Sequence, residues 1–331
     1  MPHRMRFSLA VLGAILSLAA AWGVEAPAAD SRLAVLGFQS EDSSPGLIDR
    51  SARSVTMVGV DGVNLKSSGG VSAPDRAARR QRARARADGL PAVLLVGNWS
   101  QTVGDFSERL AYRTLRSRTA VDSAASRLAH YVTAGGWSGV SVDLESLAPR
   151  DRSGLSRFVA DLRRDLPAAD SLTVCVQAST SPPAYRSAGY DLGSLASSAD
   201  QIVLMTYDDH GPWENTPGPI GPLRWQRAAV HALERAVSRG QIFLGAANYA
   251  YAWRPHSNDD LTVRQARRLV ARWHAHPRWV ARAGEWTASL RDGSTVWWSD
   301  ARSVARRLAL ARELGVHGLA VWSLGSGDPI P

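Results

Sequence analysis

The chain has 331 residues, 45% hydrophobic and 21% charged, a composition that excludes wholesale disorder and a multi-span membrane protein and is long enough for one large core. The formal net charge is +9, and Lys66 is the sole lysine among 39 basic residues; the excess favours anionic surroundings such as cell-wall polymers, but no nucleic-acid motif accompanies it, so no nucleic-acid partner is expected. A single cysteine, Cys175, excludes an intramolecular disulfide and reads as core.

Residues 1–29 read as a signal peptide: His3, Arg4 and Arg6 precede an apolar run from Phe7 to Trp22, and the small residues Ala26, Ala28 and Ala29 follow. Export to the extracellular space or cell envelope is expected. The run is short for a membrane span, and an uncleaved anchor is the alternative. Residues 30–331 then form the mature domain.

Eight short apolar runs follow: Leu33 to Phe38, Val55 to Val60, Ala92 to Val96, Gly139 to Asp143, Leu172 to Gln177, Gln201 to Thr206, Ile242 to Ala246 and Gly318 to Trp322. Their uniform apolarity predicts strands covered on both faces. Helix-like segments alternate with them. Arg76 to Arg86, with six arginines, reads as a solvated outer helix face, with contact to anionic wall polymers as the alternative. Val121, Ala125, Leu128 and Val132 share a face, and Thr119 with Asp122 resembles a capping box. Leu155, Phe158, Val159 and Leu162 form the next stripe, then Trp225, Ala229, Leu233 and Val237, and finally Val304, Leu308, Ala311 and Leu314, stopped by Gly315.

Eight buried strands alternating with helices predict an α/β fold, a (β/α)8 TIM barrel; a doubly wound open sheet is disfavoured because no glycine-rich turn follows the first strand. Residues 254–298 are too long for an ordinary connection, and Asp292-Gly293 inside them is a hairpin signal. They predict a small α+β insertion between strand seven and the last helix. A single barrel is compatible with a monomer.

In such a barrel the chemistry sits at the C-terminal strand ends. The fourth run ends Ser141-Val142-Asp143-Leu144-Glu145. Strand alternation points Ser141, Asp143 and Glu145 inward, with Cα atoms about 6.6 Å apart, close enough for the two carboxyls to couple their titrations. A surface ion pair is the alternative, and the apolar strand beneath weighs against it. The sixth run delivers Met205, Tyr207 and Asp208 to the same rim, the seventh is followed by Asn248, Tyr249, Tyr251 and Trp253, and the eighth ends at Trp322. Twelve Trp against five Phe favours a carbohydrate groove. His274 and His276 lack a third ligand of suitable spacing, so no metal is expected, and nothing calls for a cofactor.

These residues resemble glycoside hydrolase family 18, the chitinase-like barrels, whose strand-four signature Asp-Gly-x-Asp-x-Asp-x-Glu reads here Ser138-Gly139-Val140-Ser141-Val142-Asp143-Leu144-Glu145. Leu204 to Asp208 resembles its strand-six Met-x-Tyr-Asp. Val296 to Asp300, with the neutral Ser141, is similar to the spore-cortex-lytic, peptidoglycan-hydrolysing branch. The resemblance implies a retaining hydrolase of β-1,4-linked N-acetylglucosamine glycans, peptidoglycan or chitin, in which the substrate's own 2-acetamido oxygen attacks the anomeric carbon. It implies that Glu145 protonates the leaving oxygen and then activates water, Asp143 holds the acetamido N–H, and Tyr207 binds the acetamido oxygen. Asp208 orients the sugar, Trp322 floors the ring, and Met205, Tyr249 and Ser141 complete the substrate-contacting set. A non-catalytic carbohydrate-binding protein on the same barrel is the alternative, although such proteins usually lose the terminal Glu, and Glu145 is present. Because Ser141 replaces an acid beneath Asp143, Asp143 is expected to titrate nearer an ordinary carboxyl.

Overall fold

The computed structural model describes residues 33–40 and 42–331; the expected signal peptide lies outside the described residues. Eight strands, β1 (Ala34–Ser40), β2 (Met57–Asn64), β3 (Ala92–Gly97), β4 (Gly139–Asp143), β5 (Ser171–Gln177), β6 (Gln201–Met205), β7 (Ile242–Ala247) and β8 (Gly318–Trp322), close into a parallel barrel in sequential order, with β8 returning to β1. Helices cover the outside, giving a (β/α)8 barrel.

The uniform apolarity of the runs follows from this closure. Val140, Val142 and Leu144 pack outward against the helix layer, as do Val58, Val60, Leu94 and Val96. Leu36, Phe38, Val93, Leu95, Cys175, Val203, Met205 and Phe243 fill the barrel interior. Both faces of each strand are thus covered, so the outward residues are mostly apolar, and the polar side chains turned inward from β4 and β5, Ser141, Asp143 and Thr173, are buried. Gly139 starts β4 at φ 143°, where a Cβ would lie 1.9 Å from the Ser171 carbonyl oxygen, so only glycine admits the strand here.

The helix Arg76–Ala87 turns Ala78, Gln81 and Ala85 inward and leaves Arg76, Arg79, Arg80, Arg84 and Arg86 exposed. Arg84 pairs with Asp49 at 2.5 Å, a solvent-screened contact of small energetic weight. The helix Arg118–Gly135 is capped by Ser117, whose hydroxyl accepts from the Ala120 N–H, rather than by the expected Thr119. Its C-terminal neighbour in kind, Ala301–Leu314, ends at Gly315 in the left-handed conformation, the stop expected from the sequence.

Between β7 and the last helix stands a five-stranded antiparallel sheet in the order Asn258–Leu261, Ala250–Trp253, Thr295–Trp298, Glu285–Ser289, Arg278–Val280, with the helix Val263–Arg272 on one side. The lobe therefore takes in Ala250–Trp253, before the expected boundary at 254. Ala250 and Ala252 join the lobe core with Val263, Ala266, Val270 and Val296. Tyr251 and Trp253, on the alternate side of the same strand, cluster with Tyr249 and Trp297 toward the barrel mouth. One strand thus builds the lobe and a wall of the cleft.

Lobe and barrel are joined by a buried ion pair. Arg307, 1% exposed on the last helix, donates to Glu285 Oε1 at 2.7 Å and to the carbonyls of Gly221 and Ala283 at 2.6 and 3.0 Å. Glu285, with no exposed surface, also accepts from the backbone N–H groups of Ile220 and Gly221 at 2.7 and 2.9 Å.

Candidate active site

The C-terminal strand ends surround a cavity of about 520 Å³, within the range of small-ligand sites. Asp143, Glu145, Tyr207, Asp208, Tyr249 and Trp322 all line it, with Met205 at its floor. Ser141 does not. It is wholly buried beneath Asp143, its Oγ accepting from Thr173 Oγ1 at 2.9 Å and lying 3.7 Å from Cys175 Sγ. The expected substrate contact at Ser141 is corrected accordingly: two neighbours occupy its hydroxyl and no surface is left for a sugar.

Strand β4 ends at Asp143, and the chain then breaks away through Ser146 at φ 56°. Glu145 is held beyond the strand end by a residue on β3's extension. Asn98, with no exposed surface, accepts from the Glu145 N–H at 2.9 Å and donates to the Glu145 carbonyl at 2.8 Å and the Ser107 carbonyl at 3.0 Å. Both backbone groups of Glu145 are thereby pinned, and its side chain alone is left to move. Gln177 at the end of β5 donates to Glu145 Oε2 at 3.3 Å.

The electrostatics set the protonation of the pair. Burial pushes Asp143 up to about 7, Asp61 across the cavity adds to the rise, and a hydrogen bond with Cys175 partly opposes it. The expectation of a near-ordinary Asp143 is overturned, because burial acts without the missing acid and a carboxyl from β2 contributes where Ser141 does not. Glu145 is held well above the usual carboxylate range, by burial first and by Asp143 second, with Gln177 opposing and Asp208 and Asp105 adding smaller contributions. A carboxyl that holds its proton to higher pH than a free glutamic acid is what a general acid requires.

Asp208 sits at φ 64°, a left-handed backbone that asparagine and aspartate tolerate better than most residues. Its Oδ1 accepts from the Tyr251 hydroxyl at 2.7 Å and from the Tyr249 hydroxyl. Burial raises it to about 6 against those two hydrogen bonds. Trp322 packs on Phe38 at a centroid distance of 5.8 Å, one face left to the cavity. At the rim Trp99 is 37% exposed, and Trp213, 65% exposed, meets Tyr251 edge-on at 6.0 Å. Among the described residues no group of three or more His, Cys, Asp or Glu side chains could hold a metal ion.

A stability consequence follows from Asp143. An aspartate in the unfolded chain titrates near 3.8 and in the fold near 7, so between those values the native state holds a proton that the unfolded state has released, and stability falls as pH rises. Asp143→Asn is expected to raise Tm by a few degrees at pH 8 and to leave it nearly unchanged at pH 4. A gap that is the same at both pH values would show that Asp143 is not perturbed.

Comparison with known proteins gives the same picture. The profile of Glycosyl hydrolases family 18 matches residues 36–327. The uncharacterized glycosylase YvbX of Bacillus subtilis is 24% identical over 242 residues, covering 70% of each chain. The cortical fragment-lytic enzyme of Bacillus anthracis is 24% identical over 249 residues, and there the match spans 68% of this chain but 55% of the relative. Among solved structures, a chitinase from Chromobacterium violaceum superimposes with a TM-score of 0.81 at 30% identity, covering 89% of this chain and 95% of that one. The spore cortex-lytic enzyme SleL of Bacillus cereus does so with a TM-score of 0.79 at 20% identity, covering 90% and 72%. With the profile matching from within β1 to beyond the end of β8, the chain belongs to glycosyl hydrolases family 18.

Proposed function

We propose that the chain is an exported, retaining glycosidase that cleaves β-1,4-linked N-acetylglucosamine-containing glycans, peptidoglycan or chitin, by substrate-assisted catalysis. The observation that carries this reading is the placement of Asp143 and Glu145 at one strand end, within one cavity with Tyr207 and Asp208 and over Trp322. Two carboxyls delivered from one side of a sugar ring are poorly placed as opposed acid and nucleophile, so the attacking atom is supplied by the substrate's acetamido group. Asp143 accepts the acetamido N–H, orienting its oxygen toward the anomeric carbon and offsetting the positive charge of the cyclic intermediate. Glu145 gives its proton to the departing oxygen and later takes one from water. The Tyr207 hydroxyl holds the acetamido oxygen, and Asp208, held by two tyrosines, steadies the sugar. The exposed rings of Trp99 and Trp213 suit neighbouring sugar faces along the cleft. A solved complex of a class V chitinase from Nicotiana tobaccum with NAG4, 18% identical and with a TM-score of 0.77, is a precedent for an N-acetylglucosamine oligomer on this fold.

The test is product release from chitin oligomers and purified peptidoglycan, with the anomeric configuration of fresh product followed by proton NMR. Retention supports the reading; inversion, or binding without release, overturns it. The pH dependence has a defined sign. The active form needs Asp143 ionised and Glu145 protonated, so kcat/KM is expected to fall on the acid side near pH 7, where Asp143 takes up its proton, and on the alkaline side as Glu145, raised by burial, loses its own. A plateau extending unbroken down to pH 4 would contradict this assignment. Export is tested by N-terminal sequencing of protein recovered from the medium or envelope after expression of the full chain.

A further inference from the structure

The strand-four signature is short of an acid at Ser141, and the barrel places another carboxyl at the same level. In the sheet register Asp61 on β2 stands opposite Leu95 on β3, and Leu95 opposite Ser141 on β4. The inward face of β2 is carried by Met57, which packs on the interior cluster, and by Gly59, whose added Cβ would meet the Phe38 ring at 2.4 Å. Alternation then turns Asp61 inward, while Val58 and Val60 face the helices. The register slips directly after Asp61, a bulge of the kind that re-aims a side chain at a barrel rim. Asp61 accordingly lines the same cavity as Asp143 and Glu145, and it also lines a neighbouring depression with Asp42. Asp143, 6% exposed, has one buried carboxyl oxygen, Oδ1, without a hydrogen-bond partner, so charge across the cavity acts on it opposed only in part by the bond with Cys175.

We propose that Asp61 is a positioning residue for the hydrolytic reaction: from β2 it supplies the second negative charge that governs the protonation of Asp143, the part left open on β4 by Ser141. This rests on the glycosidase reading given above. No covalent step is involved. With Asp61 ionised, a proton on Asp143 is favoured in the empty site; the arriving acetamido N–H then replaces it as the favourable partner of the carboxylate, and the proton leaves to solvent.

Other groups facing Asp143 are Glu145 from its own chain segment, Cys175 from β5, Tyr207 from β6 and Tyr190; Asp42 faces Asp61 from the segment after β1. Burial raises the Cys175, Tyr190 and Tyr207 groups, so they stay neutral where the carboxyls titrate.

The experiment is a carboxyl carbon-13 NMR titration of the full chain and its Asp61→Asn and Asp61→Glu variants, beside kcat/KM profiles on chitin oligomers. Loss of the Asp61 charge is expected to move the Asp143 midpoint, and the acid limb of kcat/KM with it, to lower pH by on the order of half a pH unit, and Asp61→Glu to restore both toward the parent. A midpoint and acid limb unmoved in Asp61→Asn would overturn the proposal, as would equal shifts in Asp61→Asn and Asp61→Glu, which would mark a packing effect. If no glycan is cleaved by any of the three proteins but the midpoint shifts and is rescued, the coupling stands and the glycosidase reading fails.

Discussion

Glu145→Gln is expected to lower kcat on N-acetylglucosamine oligomers by roughly a thousandfold, the scale of a lost general acid and base, with KM little changed. The amide is nearly the same size and keeps a partner in Gln177, which lies 3.3 Å from Glu145 Oε2, so glycan binding is preserved while no proton is delivered to the leaving oxygen. Such a loss corresponds to about 4 kcal/mol of transition-state stabilisation. Because the Glu145 backbone is fixed by Asn98, the variant cannot recruit a neighbouring acid by shifting the loop. Steady-state kinetics beside isothermal calorimetry of oligomer binding separates the outcomes: retained turnover would remove Glu145 from the role of acid, and lost binding would show that it holds substrate instead.

The largest expected effect on stability lies away from the chemistry. Arg307→Met strands Glu285, which has no exposed surface, without its countercharge, and removing one partner of a buried ion pair costs about 3–5 kcal/mol. The carbonyls of Gly221 and Ala283 lose donors at the same time. Adding Glu285→Gln is expected to recover part of the loss, since it removes the stranded charge and its one amide oxygen still accepts from either the Ile220 or the Gly221 N–H, though not from both. Urea unfolding of the two proteins measures this; a double variant no more stable than Arg307→Met would assign the cost to lost backbone partners rather than to the stranded charge.

The barrel was legible because each strand is covered on both faces, so its run is mostly apolar with few polar interruptions such as Ser141 and Thr173, and because Gly315 and the stripes on the helices punctuate the connections. That Asp143 and Glu145 meet in one cavity was legible for a local reason: residues two apart at the end of a strand leave it toward the same side. What was not legible depends on contacts distant in the chain. Asn98 reaches Glu145 across 47 positions, and nothing near Asn98 announces it. Asp61 lay just beyond the second apolar run, which ends at Val60 in the sequence but continues as strand to Asn64; a carboxylate at the end of a buried run was the available signal. Tyr251 was visible as an aromatic after β7, whereas its bond to Asp208 needed the lobe sheet to turn Ala250 and Ala252 the other way. Ser117 displaced Thr119 as the helix cap since both precede the same stripe and only the backbone geometry chooses between them.

The clamp on Glu145 bears on the order of events in a turnover. A carboxyl swinging from a fixed backbone serves one small region of space, so the group that leaves and the group that enters must pass through that region in succession. On the glycosidase reading proposed above, water can be activated only once the leaving group has cleared the reach of that one carboxyl.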